Sequence, residues 1–79
     1  MKKPLKVREF PTIIEKDEAG YLFAYVPSLQ GCYTQGRTLE QVLKNIREAI
    51  VLHLEDRRLR AEAIPHRRPV SFTALEVRA

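Results

Sequence analysis

The chain has 79 residues, of which 44% are hydrophobic and 30% charged, with a formal net charge of +4 and a single cysteine. That length makes one small domain burying roughly 60–65% of its unfolded surface, and no apolar run reaches the length of about 18 residues that a transmembrane helix needs. With one cysteine, no internal disulfide and no apolar segment behind the N-terminal lysines, residues 1–79 are expected to form one cytoplasmic domain.

Residues 1–4 read as a tail. Leu5 to Lys16, LKVREFPTIIEK, is strand-prone. Pro11 has no N–H to give a ladder, which predicts an edge strand or two short strands around a bulge. Asp17 to Gly20 is a hairpin loop with its glycine last, where a positive φ is commonly needed.

In Tyr21 to Val26, the side chains of Tyr21, Phe23 and Tyr25 share one face, and Leu22, Ala24 and Val26 share the other. A strand apolar on both faces is covered on both sides, yet one helix covers only one. The aliphatic face is expected to meet the helix. The aromatic face then packs within the monomer or meets a partner. Pro27 to Gly31 is a turn by composition, and Cys32 to Gln35 a short strand.

Thr38 and Gln41 form a Thr-x-x-Gln capping box that predicts a helix start with Thr38 as N-cap. Leu39, Val42, Leu43, Ile46, Ala49, Ile50, His53 and Leu54 then fall on one stripe, the expected core face. Leu52 and Leu59 lie roughly opposite, as scattered surface leucines or as a second contact for an oligomer. The helical pattern fades over Arg60 to Ala63, and Pro65 lies outside it. Val70 to Val77, VSFTALEV, is strand-like and forms the last predicted element.

Catalytic chemistry is not legible. Cys32, His53 and His66 match no zinc spacing, no glycine-rich phosphate cradle is present, and the carboxylates do not converge. The prediction is therefore a non-enzymatic chain with no metal and no cofactor. His53 reads as a boundary or core histidine, and His66 as an exposed loop residue. Arg57, Arg58, Arg60, Arg67 and Arg68 fall within twelve residues. They are either a solvated helix end and loop, or a patch for nucleic acid or an acidic partner. From the residues alone the chain is a small α+β binding module.

The order of motifs adds to this. Glu18-x-Gly20-Tyr21 comes first, then Val26-Pro27-Ser28-Leu29-Gln30-Gly31-Cys32, then Thr34-Gln35-Gly36. Thr38-Leu39-Glu40-Gln41 and Asn45-Ile46-x-Glu48-Ala49-Ile50 follow. Together, over residues 12–56, they resemble the HicB-like antitoxin family. The resemblance implies a β-β-β-α-β arrangement, a single antiparallel sheet with one long helix on one face, similar to a truncated ribonuclease-H-like fold without its carboxylates. It also implies a homo-oligomer and a partner, a HicA-type messenger-RNA endonuclease neutralised by protein–protein masking of its active site. Gly20, Pro27, Gly31, Gly36 and Thr38 are expected to determine the fold. Candidate partner contacts are Tyr21, Phe23 and Tyr25 with the five arginines. Many members carry a C-terminal DNA-binding domain; this sequence ends at Ala79 after the last predicted strand, so autonomous operator repression is not expected. The alternative is an orphan member of the family that binds nucleic acid through its basic and aromatic surface.

Overall fold

A computed structural model describes residues 8–64 and 67–79. The expectations for residues 1–4, for a strand start at Leu5, and for Pro65 and His66 lie outside the described residues. The chain forms β1 (Ile13–Lys16), β2 (Leu22–Tyr25), β3 (Tyr33–Gly36) and α1 (Leu39–Leu59). The three strands make one antiparallel sheet in the order β1-β2-β3, each beside its sequence neighbour. No helix among the described residues is long and apolar enough to cross a membrane.

Pro11 sits two residues before β1 and so spares the ladder its missing donor. β1 is an edge strand, as its proline predicts. The β1–β2 hairpin is closed by Asp17, whose N–H donates to the Tyr21 carbonyl at 2.9 Å. Its carboxylate accepts the Tyr21 N–H at 2.8 Å. Gly20 has φ +93°, a value side chains disfavour.

Register sorts the side chains. Ile14, Ala24 and Thr34 stand opposite one another on the helix side. Ile13, Tyr25 and Tyr33 form one row on the other side, and Glu15, Phe23 and Gln35 a second. The fully buried residues are Ala24, Val26, Leu29, Cys32, Val42 and Ile46. Three of these, Val26, Leu29 and Cys32, come from the β2–β3 connection, and Leu29 lies within the stretch that composition marks only as a turn. The connection folds inward through hydrogen bonds from the Leu29 N–H to the Val26 carbonyl and from the Cys32 N–H to the Leu29 carbonyl, both 3.0 Å. Leu29 is thereby 1% exposed, between Val42 at 0% and Ile46 at 3% on the helix.

The helix starts where its cap predicts. The Thr38 hydroxyl accepts the Gln41 N–H at 3.1 Å. The Gln41 side chain reaches back one residue further than a capping box requires, accepting the Arg37 N–H at 2.9 Å. At the other end the Glu62 N–H donates to the Arg57 carbonyl and the Ala61 N–H to the Arg58 carbonyl. That pair of bonds is a Schellman motif. Its left-handed position is held by Ala61, at φ +55°, where glycine is usual.

Two expectations need correction. Leu39 and Leu43 belong to the predicted core stripe but are exposed. The helix packs over β3 and β2, so the flank of the stripe overhangs the sheet on the β1 side. The second concerns Val70 to Val77, which form no strand. β-propensity is realised only in a ladder, and among the described residues no strand runs alongside them.

Candidate functional site

One face of the sheet is covered by α1. The other carries the rings. Tyr25 is half-buried there, and Phe23 and Tyr21 are more than a third exposed. Tyr33, directly opposite Tyr25, is 73% exposed. The expected trio of Tyr21, Phe23 and Tyr25 therefore shares a surface with a fourth ring, Tyr33, which is not among the residues singled out from the sequence. The signal for it was the alternation within the second short strand, where Cys32 points inward and Tyr33 must point outward. The Arg37 guanidinium lies 5.8 Å from the centroid of Tyr21, a cation–π contact that puts a positive charge at the rim.

The arginines do not act as one group. Arg58 pairs with Glu55, and Arg60 lies 3.3 Å from Asp56. Arg57 donates to the Ala63 carbonyl at 3.3 Å. These three brace the helix end. The hydrogen bond and charge of Arg58 hold the Glu55 carboxyl below its usual range. Arg67 and Arg68 stand elsewhere, in a shallow cleft of about 600 Å³ shared with Arg8, Glu9, Phe10 and Ser28. Residues adjacent in sequence are thus divided between two places by the helix terminus.

The residues expected to determine the fold lie at the turns and the helix start. Pro27 follows Val26 directly after β2, and Gly31, at φ +83°, turns the chain back into β3. Gly36 has no unusual φ; a Cβ there would lie 3.2 Å from the Val42 N, a tight contact with the first turn of α1. His53 is half-buried and lies against Gly31. Cys32 is fully buried, and burial pushes its thiol pKa up, away from the thiolate that a nucleophile requires. Among the described residues no three His, Cys, Asp or Glu side chains gather as a metal site.

The family model for the HicB-like antitoxin of bacterial toxin–antitoxin systems matches residues 10–76. The chain belongs to the HicB-like antitoxin family. It is 33% identical to the N-terminal domain of the Burkholderia pseudomallei antitoxin HicB, whose crystal structure it matches with a TM-score of 0.62 over 85% of this chain and 72% of that one. The three antiparallel strands and following helix described above are what the two share. A UPF0150 protein of Helicobacter pylori is 59% identical over 44 residues, 56% of this chain and 60% of that protein's length. A UPF0150 protein of Thermoplasma acidophilum is 46% identical over 57 residues, covering 72% of this chain and 83% of that protein. In this HicB-like chain the shared region ends near Glu76, so it includes the segment that carries no strand here.

Proposed function

We propose that this chain is a cytoplasmic antitoxin that neutralises a HicA-type messenger-RNA endonuclease by binding it and covering its active site, without catalysis or a cofactor of its own. The observation that carries the proposal is the family match across residues 10–76. The uncovered aromatic face supports it. Tyr, Phe and Arg are enriched at protein interfaces, and Phe23, Tyr33 and Arg37 meet that description on a rigid sheet. The chain also associates with itself under this reading, because Tyr21 to Val26 is apolar on both faces and Leu52 and Leu59 are exposed on the far side of the helix.

The test is co-expression with a HicA-type toxin from the same genome. Rescue of growth and a complex that survives nuclease treatment support the proposal; neither rescue nor complex overturns it. A second reading, nucleic-acid binding by an orphan member, is favoured by one observation, the grouping of Arg67 and Arg68 beside Arg8. It predicts capture of nucleic acid that weakens steeply with salt as phosphate counterions are released. Binding that does not vary with salt removes that reading.

A further inference from the structure

Three segments that are distant in sequence meet in one cleft beside the start of β1. Arg8, Glu9, Phe10, Ser28, Arg67 and Arg68 line its volume of about 600 Å³. Arg8 precedes β1, and its guanidinium lies 5.2 Å from the centroid of the Phe10 ring, a cation–π contact that holds it at the wall. Arg67 and Arg68 are exposed and come from the chain beyond α1. Ser28 belongs to the inward-folded β2–β3 turn, which the hydrogen bonds around Leu29 keep in place.

The lining sets three guanidiniums against one carboxylate, a surplus of two positive charges. Arginine suits phosphate because its planar fork donates two parallel hydrogen bonds and its charge does not titrate away. A phosphate monoester carries close to two negative charges at neutral pH. Each phosphodiester of a nucleic-acid backbone carries one. The surplus in the cleft therefore matches a terminal phosphate, and the Ser28 hydroxyl adds a further donor beside it. A second recess, of about 140 Å³, adjoins the cleft and shares Ser28, Arg67 and Arg68 with it. Its remaining sides are Pro11, Pro27, Pro69 and Phe72, apolar surfaces on which a flat ring stacks.

We propose that this composite site binds a nucleoside monophosphate. The phosphate lies among Arg8, Arg67 and Arg68, the base stacks in the recess against Phe72, and the sugar occupies the cleft between them. The nucleotide is either free or the phosphorylated end of an RNA strand, since both present the same chemistry. The site goes beyond both readings given above and requires neither. It involves no toxin, and its charge count separates an end group from the polymer backbone that the nucleic-acid reading invokes.

Calorimetric titration of the full chain with adenosine monophosphate, adenosine and cyclic adenosine monophosphate tests the site. The three share a base and differ in phosphate: a monoester, none and a diester. The monoester should bind tighter than the other two by roughly tenfold or more. Arg67→Ala with Arg68→Ala should remove that margin. Arg58→Ala with Arg60→Ala, the same loss of charge at the helix end, should leave it. All four arginines are exposed, so both variants fold. Phe72→Ala should weaken the nucleotide and leave inorganic phosphate binding unchanged. A ribo-oligonucleotide with a terminal phosphate that binds as the mononucleotide does makes the source an RNA end. One that does not makes it the free nucleotide, and both outcomes support the site. Adenosine or the cyclic diester binding as tightly as the monoester overturns it. So does an equal loss from the helix-end variant, a nucleotide affinity untouched by Phe72→Ala, or no binding of the monoester at millimolar concentration. The nucleic-acid reading is judged by its own salt dependence and can stand where this site fails.

Discussion

Asp17 and Tyr21 grip each other twice across the first hairpin, each N–H donating to the other residue: Asp17 to the Tyr21 carbonyl at 2.9 Å and Tyr21 to the Asp17 carboxylate at 2.8 Å. The side-chain half of this clamp is open to mutation. Asp17→Ala is expected to destabilise the chain by about 1 kcal/mol, the net worth of one exposed charge-assisted hydrogen bond. Asp17→Asn keeps an acceptor in place and should lose less. Urea denaturation of the three proteins checks the order; equal midpoints for Asp17→Ala and the parent would show the clamp to be idle.

Ala61 occupies a left-handed position with a side chain it would do better without. Ala61→Gly should stabilise the helix terminus by about 0.5–1 kcal/mol, the relief of a left-handed Cβ less the greater freedom of glycine when unfolded. Ala61→Val should destabilise. Thermal unfolding followed by circular dichroism at the helix band reads both.

Leu29 is a loop residue by position and a core residue by burial. Leu29→Ala is expected to destabilise by about 2–5 kcal/mol, because the deleted side chain leaves a cavity between the sheet and α1. A loss below about 0.5 kcal/mol, typical of surface loops, would contradict its burial.

Cys32 has a thiol whose pKa burial raises. The folded state therefore favours the protonated form. Its contribution is fully present below the ordinary thiol pKa of about 8.5 and is lost as pH rises through the higher folded value. The parent should lose more stability than Cys32→Ala between neutral pH and about pH 10, and native protein should resist thiol reagents until unfolded. Rapid native labelling would contradict both expectations.

Tyr33 stands out from the open face with few contacts of its own. Tyr33→Ser should change stability by no more than about 0.5 kcal/mol and weaken toxin binding roughly tenfold or more if the aromatic face is the contact. Calorimetric titration of the purified toxin measures it; unchanged affinity moves the interface elsewhere on the chain.

What the sequence revealed follows from how local each signal is. Thr38 announced the helix because a cap is chemistry between residues three apart. The faces of Tyr21 to Val26 were legible because alternation needs only the strand itself. Leu29 was hidden, since nothing in Pro-Ser-Leu-Gln-Gly says that a turn folds inward. Leu39 and Leu43 were placed in the core because periodicity gives the direction of a stripe and not the width of the sheet beneath it. The arginines stay open in the sequence between a solvated helix end and loop and a binding patch, because spacing along the chain does not disclose that Arg57, Arg58 and Arg60 are occupied at the helix end. Of the candidate surface, three rings were recognised from the sequence and the fourth needed the register with Tyr25.

The meander order of the sheet has a kinetic consequence. Every strand pairs with its sequence neighbour, and the helix that closes the core follows at once, so the contacts are short in sequence separation and no crossover delays them. Such topologies fold quickly. All six fully buried residues lie between Ala24 and Ile46, so a nascent chain can complete its body once α1 has left the ribosome, before Val70 is available. Folding is then a unimolecular event that precedes any encounter. Under the proposed self-association, assembly is then a separate, concentration-dependent event whose extent follows the amount of protein made.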